Sequence, residues 1–160
     1  MKNSDILICG VGIIGLTIAK ELVSKGYKNI LIIEKESSTG FHASGRNSGV
    51  LHTGIYYPKE TDKAKFCLKG NYLMQEYCLE NNLPLQKTGK VIVTSNSSEL
   101  VTLQTLYERA LENEAPCELL DEKQLSEIEP NAKTFEKALF SKETCVVDPK
   151  KVLACLLSEL

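Results

Sequence analysis

The chain has 160 residues, of which 25% are charged, 42% hydrophobic and 6% aromatic, with no tryptophan. That composition excludes a disordered, collagen-like or low-complexity polypeptide and leaves enough apolar surface for a real core. Nineteen Lys and Arg against 21 Asp and Glu give a net charge of −2, so the basic footprint of a nucleic-acid binder is missing.

The chain opens with Met1–Ser4 and then an apolar run, a start that mimics a signal peptide. Asp5 at the edge of the run, the glycines at 10, 12 and 15, and Lys20-Glu21 in place of a cleavage site argue against one. The run is also too short and too glycine-broken to cross a membrane. Ile6-Leu7-Ile8-Cys9 reads as a parallel strand covered on both faces. Ile13 to Ser24 reads as a helix that Gly26 can end, and Asn29 to Ile33 as a second strand closing at Glu34. Strand, helix and strand in this order form a βαβ unit.

Lys35 to Gly49 has neither helical nor strand period and is rich in Ser, Gly and Asn; loops of this length inside compact domains are usually functional. Thr61 can cap a helix running to about Asn81. Lys90 to Thr94 begins a β-rich stretch. Asn96 with Glu99, and Asp121 with Gln124, look like capping boxes for two further helices, the second stopped by Pro130. Lys137–Ser141 and Thr144–Val147 are expected to pair as a hairpin. Asp148 caps a last helix with Pro149 at its first position. Its stripe of Leu153, Leu156, Leu157 and Leu160 is still running at the final residue, and a two-stranded parallel start leaves a sheet unfinished. The sequence is therefore expected to be the front part of a longer polypeptide.

The six cysteines, at 9, 67, 78, 117, 145 and 155, form no CxxC pair, and His42 and His52 are the only histidines. Zinc-type ligand spacing is absent, so no metal is expected. Most of these thiols sit in apolar runs as small hydrophobes, which fits a reducing compartment such as the cytoplasm.

Gly10-Val11-Gly12-Ile13-Ile14-Gly15 matches GxGxxG, follows an apolar strand, opens a helix and is followed at the end of the next strand by Glu34. In that context it is the fingerprint of a dinucleotide site. Gly10 allows the tight turn, Gly12 lets a pyrophosphate approach the backbone, and Gly15 lets helix and strand pack closely. The free N–H groups around Ile13 and Ile14 stabilise phosphate. Glu34 can accept hydrogen bonds from ribose hydroxyls and would repel a 2′-phosphate. Three glycines in an ordinary turn and one surface Glu are the bland alternative, which the joint match disfavours. A nicotinamide domain would continue into another crossover helix. Here the Ser/Gly/Asn loop follows instead, supplying backbone N–H groups and the Arg46 guanidinium, which suit the flavin side of a pyrophosphate. A solvated surface loop with a stray Arg is the competing reading.

The stretch from His42 to Tyr57 (His-Ala-Ser-Gly-Arg-Asn-Ser-Gly-Val-Leu-His-Thr-Gly-Ile-Tyr-Tyr) closely resembles the L-2-hydroxyglutarate dehydrogenase/oxidase family of the FAD-dependent, D-amino-acid-oxidase-like superfamily. Lys63-Ala64-Lys65 with Cys67, Glu76-Tyr77-Cys78, Gly89 to Val93, Leu106-Tyr107 and Val146-Val147-Asp148 extend the resemblance over nearly the whole chain. Arg46 departs from the His of some relatives. The resemblance implies an α/β fold: a Rossmann-like FAD-binding βαβ unit, residues 1–86, with the start of an interleaved mixed α+β substrate domain, 87–147, and a helix, 148–160, returning to the FAD domain. It implies FAD as cofactor, held by the fingerprint and Glu34 together with Lys35, Ser44, Arg46, Asn47, Ser48, Gly49 and Val50. The implied reaction oxidises a 2-hydroxy acid, L-2-hydroxyglutarate, to the 2-oxo acid by hydride transfer to flavin N5, with electrons passing on to oxygen or a quinone. A superfamily member acting on amines, amino acids or glycerol 3-phosphate, and an inactive FAD-binding piece, are the competing readings. The implied location is cytoplasmic, with peripheral contact at the inner face of the membrane left open.

The resemblance puts His52 near the isoalloxazine. It is the candidate base, since an imidazole can be poised near neutral pH; a histidine that merely hydrogen-bonds the flavin is an equal alternative. Tyr56 and Tyr57 could offer hydroxyls to a substrate carboxylate, although such tyrosines are more often core aromatics. Lys65 and Lys90 read as solvated charges and His42 as an ordinary loop residue.

Overall fold

A computed structural model describes residues 3–160; Met1 and Lys2, where the signal-like start begins, lie outside the described residues. The chain divides into two compact units. The first comprises the described residues up to Gly49, with Cys78–Pro84 and Val147–Leu160; the second comprises Val50–Tyr77 and Leu85–Val146.

In the first unit, β1 (Ile6–Cys9) and β2 (Ile30–Ile33) pair in parallel from Ile6↔Ile30 to Cys9↔Ile33, joined through α1 (Ile13–Ser24). The Gly10 N–H donates to the Ile33 carbonyl at 2.7 Å, carrying the ladder one residue into the turn. Helix α1 buries Leu16 and Ala19. It ends in paired bonds, Tyr27 N–H to the Leu22 carbonyl and Gly26 N–H to the Val23 carbonyl, which satisfy carbonyls the helix would leave orphaned. The chain's last helix buries Val152, Leu153 and Leu156 and packs on α1 and on a 3-10 turn at Ala43–Gly45. Asp148 caps it, its carboxylate accepting from the Lys150 and Lys151 N–H groups at 2.9 and 3.2 Å.

The second unit runs β3 (Val50–Leu51), α2 (Asp62–Glu80, whose last turn from Cys78 counts with the first unit), β4 (Leu85–Gln86), β5 (Lys90–Val93), α3 (Ser97–Glu112), β6 (Cys117–Leu120), α4 (Glu122–Ile128), β7 (Ala138–Ser141) and β8 (Cys145–Val147, whose Val147 enters the first unit); α5 (Pro149–Ser158) is the last helix above. One antiparallel sheet has the order β5-β7-β6, and a smaller one β3-β8-β4. Leu103, Leu106 and Ala110 of α3 bury themselves with Leu139, Ile55 and Ala115. Leu125 of α4 packs with Leu120 and Ala138.

The α/β class expected from the sequence is the class observed. The expected hairpin is not. The turn after Ser141 forms, but β7 already has β5 on one edge and β6 on the other, so neither edge is left for β8. Strand β8 instead pairs with β3, Val146 opposite Val50 and Cys145 opposite Leu51. Of the two expected capping boxes, Asp121 and Gln124 form the full reciprocal pair. At α3, Asn96 accepts from the Ser98 N–H at 3.0 Å, while the Glu99 carboxylate reaches past it to the Ser95 N–H at 2.7 Å.

Candidate functional site

The glycine corner sits between β1 and α1. Gly10 has φ +107°, a conformation closed to side chains, and nothing lies within 4 Å of a Cβ built on it. A Cβ on Gly15 would lie 2.0 Å from the Gly10 carbonyl oxygen, so close packing of helix on turn requires glycine there. Gly12 is the N-cap of α1 and has no side chain with which to cap it. Ser44 supplies the missing group from 31 residues further on: its Oγ accepts the Ile13 N–H at 3.1 Å. Ser44 is also the one residue within 4 Å of a Cβ built on Gly12. The corner is thus open on its outer side. The first turn of α1 carries no acidic residue of its own, so its positive end favours an anion supplied from elsewhere.

Glu34 follows β2 and aims at this corner. Its Oε2 accepts the Val11 N–H at 2.7 Å and its Oε1 the Glu36 N–H at 3.0 Å. These backbone bonds hold the carboxyl below its ordinary value of 4.5, with the nearby His42 a lesser contributor. It is therefore ionised at neutral pH, and each oxygen keeps a lone pair for a further donor. Glu36 in turn contacts His42 Nε2 at 2.7 Å and Lys35 at 3.6 Å.

Gly10, Gly12, Glu34, Lys35 and Ser44 share the wall of one cavity of about 570 Å³. Cys9, Phe41 and His42 also line it. None of these three is expected there from the sequence, which reads His42 as an ordinary loop residue and Cys9 as a strand hydrophobe; the adjacent aromatic pair Phe41-His42, alone in a small-residue loop, is the signal that points to them. Other expected cofactor residues lie off this wall. The Arg46 guanidinium stacks 4.7 Å from the Phe41 ring centroid and is not on the cavity wall. Asn47 folds the loop, donating to the Ala43 and Ser44 carbonyls at 3.0 and 3.1 Å and accepting from the Gly49 N–H at 2.9 Å. Ser48 is exposed, and Val50 belongs to β3 of the second unit.

These residues fit the ADP half of a dinucleotide. The corner where the diphosphate would approach is clear of side chains apart from a hydroxyl that can itself donate to phosphate. An ionised carboxylate with free lone pairs stands where ribose hydroxyls need acceptors.

In the second unit, the segment from Thr53 to Tyr57 is pinned to α3. Asn113 Nδ2 donates to the Gly54 and Tyr57 carbonyls at 3.1 and 2.8 Å, and Arg109 Nη1 to the Tyr56 carbonyl at 3.3 Å. His52 meets Tyr56 edge-on, with ring centroids 6.1 Å apart. Partial burial pushes the His52 imidazole below its ordinary 6.5, and the Lys90 charge pushes it further the same way. The residue as a whole is nevertheless exposed. Lys90 Nζ is hydrogen-bonded to the Tyr56 hydroxyl. Lys90 is therefore not the solvated charge expected of it, whereas Lys65 is exposed and pairs with Asp62 at 3.6 Å. Lys63 lies 5.4 Å from the Tyr57 ring centroid.

A family model described as FAD dependent oxidoreductase matches residues 5–160. The L-2-hydroxyglutarate dehydrogenase, mitochondrial, of Dictyostelium discoideum is 41% identical over 151 residues, which is 92% of this chain and 34% of that protein. The human protein of the same name is 37% identical over 153 residues, covering 94% of this chain and 33% of that one. The chain thus spans about a third of the length of the curated relatives it matches. Among solved structures, the FAD-bound L-alpha-glycerophosphate oxidase of Mycoplasma pneumoniae superposes with a TM-score of 0.86 at 29% identity, over 98% of this chain and 42% of the other. Glycine oxidase from Geobacillus kaustophilus shares the fold, with a TM-score of 0.85 at 22% identity, over 98% of this chain and 44% of that one. The open glycine corner, the ionised Glu34 beside it and the match along residues 5–160 together make this chain a member of the FAD dependent oxidoreductase family, whose cofactor is FAD.

Proposed function

We propose that this chain serves the FAD-dependent oxidation of a 2-hydroxy acid, L-2-hydroxyglutarate, to its 2-oxo acid. The observation that carries the cofactor half of this reading is the Gly10–Gly12 corner sharing one cavity with the Glu34 carboxylate. The substrate half rests on relatives of that name at 36–41% identity. In this reading the first unit holds the cofactor and the second meets the substrate; residues 50–77, grouped with the cofactor domain from sequence, pack within the second unit.

FAD, when bound, supplies a two-electron acceptor for the carbinol hydrogen. The chain's residues do the rest. The N–H groups at the start of α1 and the Ser44 hydroxyl hold the diphosphate, and Glu34 accepts from the ribose. A neutral His52 takes the substrate hydroxyl proton on an imidazole nitrogen; its lowered pKa keeps it neutral, and so able to accept, at pH 7. Oxygen or a quinone is the final acceptor. Among the described residues no helix is long and apolar enough to cross a membrane, and all six cysteines are free thiols. A reducing compartment suits those thiols; the relatives carry the word mitochondrial in their names.

The likeness to glycerophosphate oxidase favours one alternative, a glycerol 3-phosphate substrate. Anaerobic mixing separates the two. The purified protein should be yellow, and L-2-hydroxyglutarate should bleach it while glycerol 3-phosphate does not. Bleaching by glycerol 3-phosphate alone overturns the substrate assignment, and colourless protein that takes up no FAD overturns the cofactor assignment.

A further inference from the structure

Lys90 occupies an unusual setting for a lysine. It opens β5 opposite Ser141 of the central strand and is half-buried. Among the described residues no carboxylate lies within ion-pair distance of its ammonium. It turns instead onto Tyr56, hydrogen-bonded to the phenol oxygen and 4.6 Å from the ring centroid. A half-buried ammonium without a counter-ion gives up part of its hydration, and a neutral phenol offsets only part of that loss.

The donor inventory shows what this arrangement lacks. Lysine has three donors and no acceptor, so the Tyr56 oxygen must accept from it. The hydroxyl proton of Tyr56 is then free to donate outward. Neither that proton nor the remaining ammonium protons has an acceptor among the described residues. Arg109 is bonded to the main-chain carbonyl of the same tyrosine and has no acid partner within ion-pair distance among the described residues. His52 stands edge-on to the ring. The Lys90 ammonium and the Tyr56 hydroxyl are thus adjacent donors beside His52, and the pinning of Tyr56 to α3 fixes the tyrosine in place before any ligand arrives.

We propose that Lys90 and Tyr56 form an oxyanion-binding subsite that receives the substrate's carboxylate, beside His52. This rests on the hydroxy-acid reading above and deepens it: the substrate must carry an anionic end within reach of its carbinol. The carboxylate accepts from the Lys90 ammonium and from the Tyr56 O–H, and so orients the hydroxyl toward the imidazole. A phosphate offers the same chemistry, so the glycerol 3-phosphate arm below tests that source.

Calorimetric titration of the FAD-loaded protein with 2-oxoglutarate, which cannot reduce it, reads the subsite directly. Lys90→Met should weaken binding about 10- to 100-fold, the range of a lost charge-assisted hydrogen bond. Lys90→Arg should stay within a few-fold of wild type, and Tyr56→Phe should lose less than Lys90→Met. Flavin content and thermal unfolding, unchanged in Lys90→Arg, control for folding. Wild-type affinity in a folded Lys90→Met protein overturns the proposal, even if L-2-hydroxyglutarate still bleaches the flavin and the function stands. Glycerol 3-phosphate binding that depends on Lys90, with no binding of 2-oxoglutarate, keeps the subsite and overturns the hydroxy-acid reading. Binding of neither anion overturns the subsite.

Discussion

Replacing Gly15 by alanine tests the glycine corner at its tightest point. The added Cβ would lie 2.0 Å from the Gly10 oxygen and 3.2 Å from its carbonyl carbon, with Ile8 Cγ2 at 3.4 Å on the other side. Ordinary contact begins near 3.4 Å, so the methyl is about 1.4 Å too close to a backbone atom. Gly10 cannot retreat freely, because its N–H is committed to the Ile33 carbonyl at 2.7 Å. Helix α1 must therefore move outward, carrying Gly12 and Ile13 away from Ser44 and tilting the N–H groups off the diphosphate position. Forcing an extra methyl into a packed site costs about 1–3 kcal/mol. For a chain of this size that lowers Tm by about 2–12 °C. The assay is a pair of measurements on one preparation: thermal unfolding by circular dichroism, and FAD bound per chain after gel filtration. Gly15→Ala should lower both, with flavin retention falling further than the stability loss alone explains. An alanine variant with wild-type Tm and a full complement of flavin would refute the close-packing reasoning and the role of the corner with it.

Further outcomes follow from the same contacts. Ser44→Ala leaves the Ile13 N–H without its cap and should cost about 1 kcal/mol in urea unfolding, while also weakening FAD binding; unchanged values for both would remove Ser44 from the site. His52→Ala should keep the flavin but slow its reduction by substrate at least about 100-fold in stopped flow, the lower end of general-base effects. Because His52 is lowered from 6.5 by burial and by Lys90, the wild-type rate should fall only as pH drops below that value; Lys90→Met should move this acid limb upward, toward 6.5. Glu34 is depressed below 4.5, so its stabilising bonds to Val11 and Glu36 are fully present above that pH and are lost as pH falls through the lowered value. Glu34→Gln should flatten this part of the acid-unfolding profile and, by turning an amide N–H₂ toward a backbone N–H, should also weaken FAD binding at pH 7; a profile identical to wild type counts against the assignment.

The sequence alone determined whatever rests on near neighbours in the chain. The apolar runs at 6–9 and 30–33, the fingerprint at 10–15, the carboxylate at Glu34 and the caps at Asp121 and Asp148 are all governed by backbone geometry within a turn or a single crossover. Tertiary structure decided what depends on partners far along the chain. Whether β8 joins β7 turns on which edges β5 and β6 already occupy. The acceptor for the Ile13 N–H comes from Ser44 because Gly12 has none to give. Lysine and arginine side chains are long and flexible, with many rotamers of similar energy, so local sequence does not fix where their charge lies. Packing turned Arg46 onto Phe41 and Lys90 onto Tyr56, and so joined to a tyrosine that the sequence already offered as a donor a lysine that the sequence read as solvated.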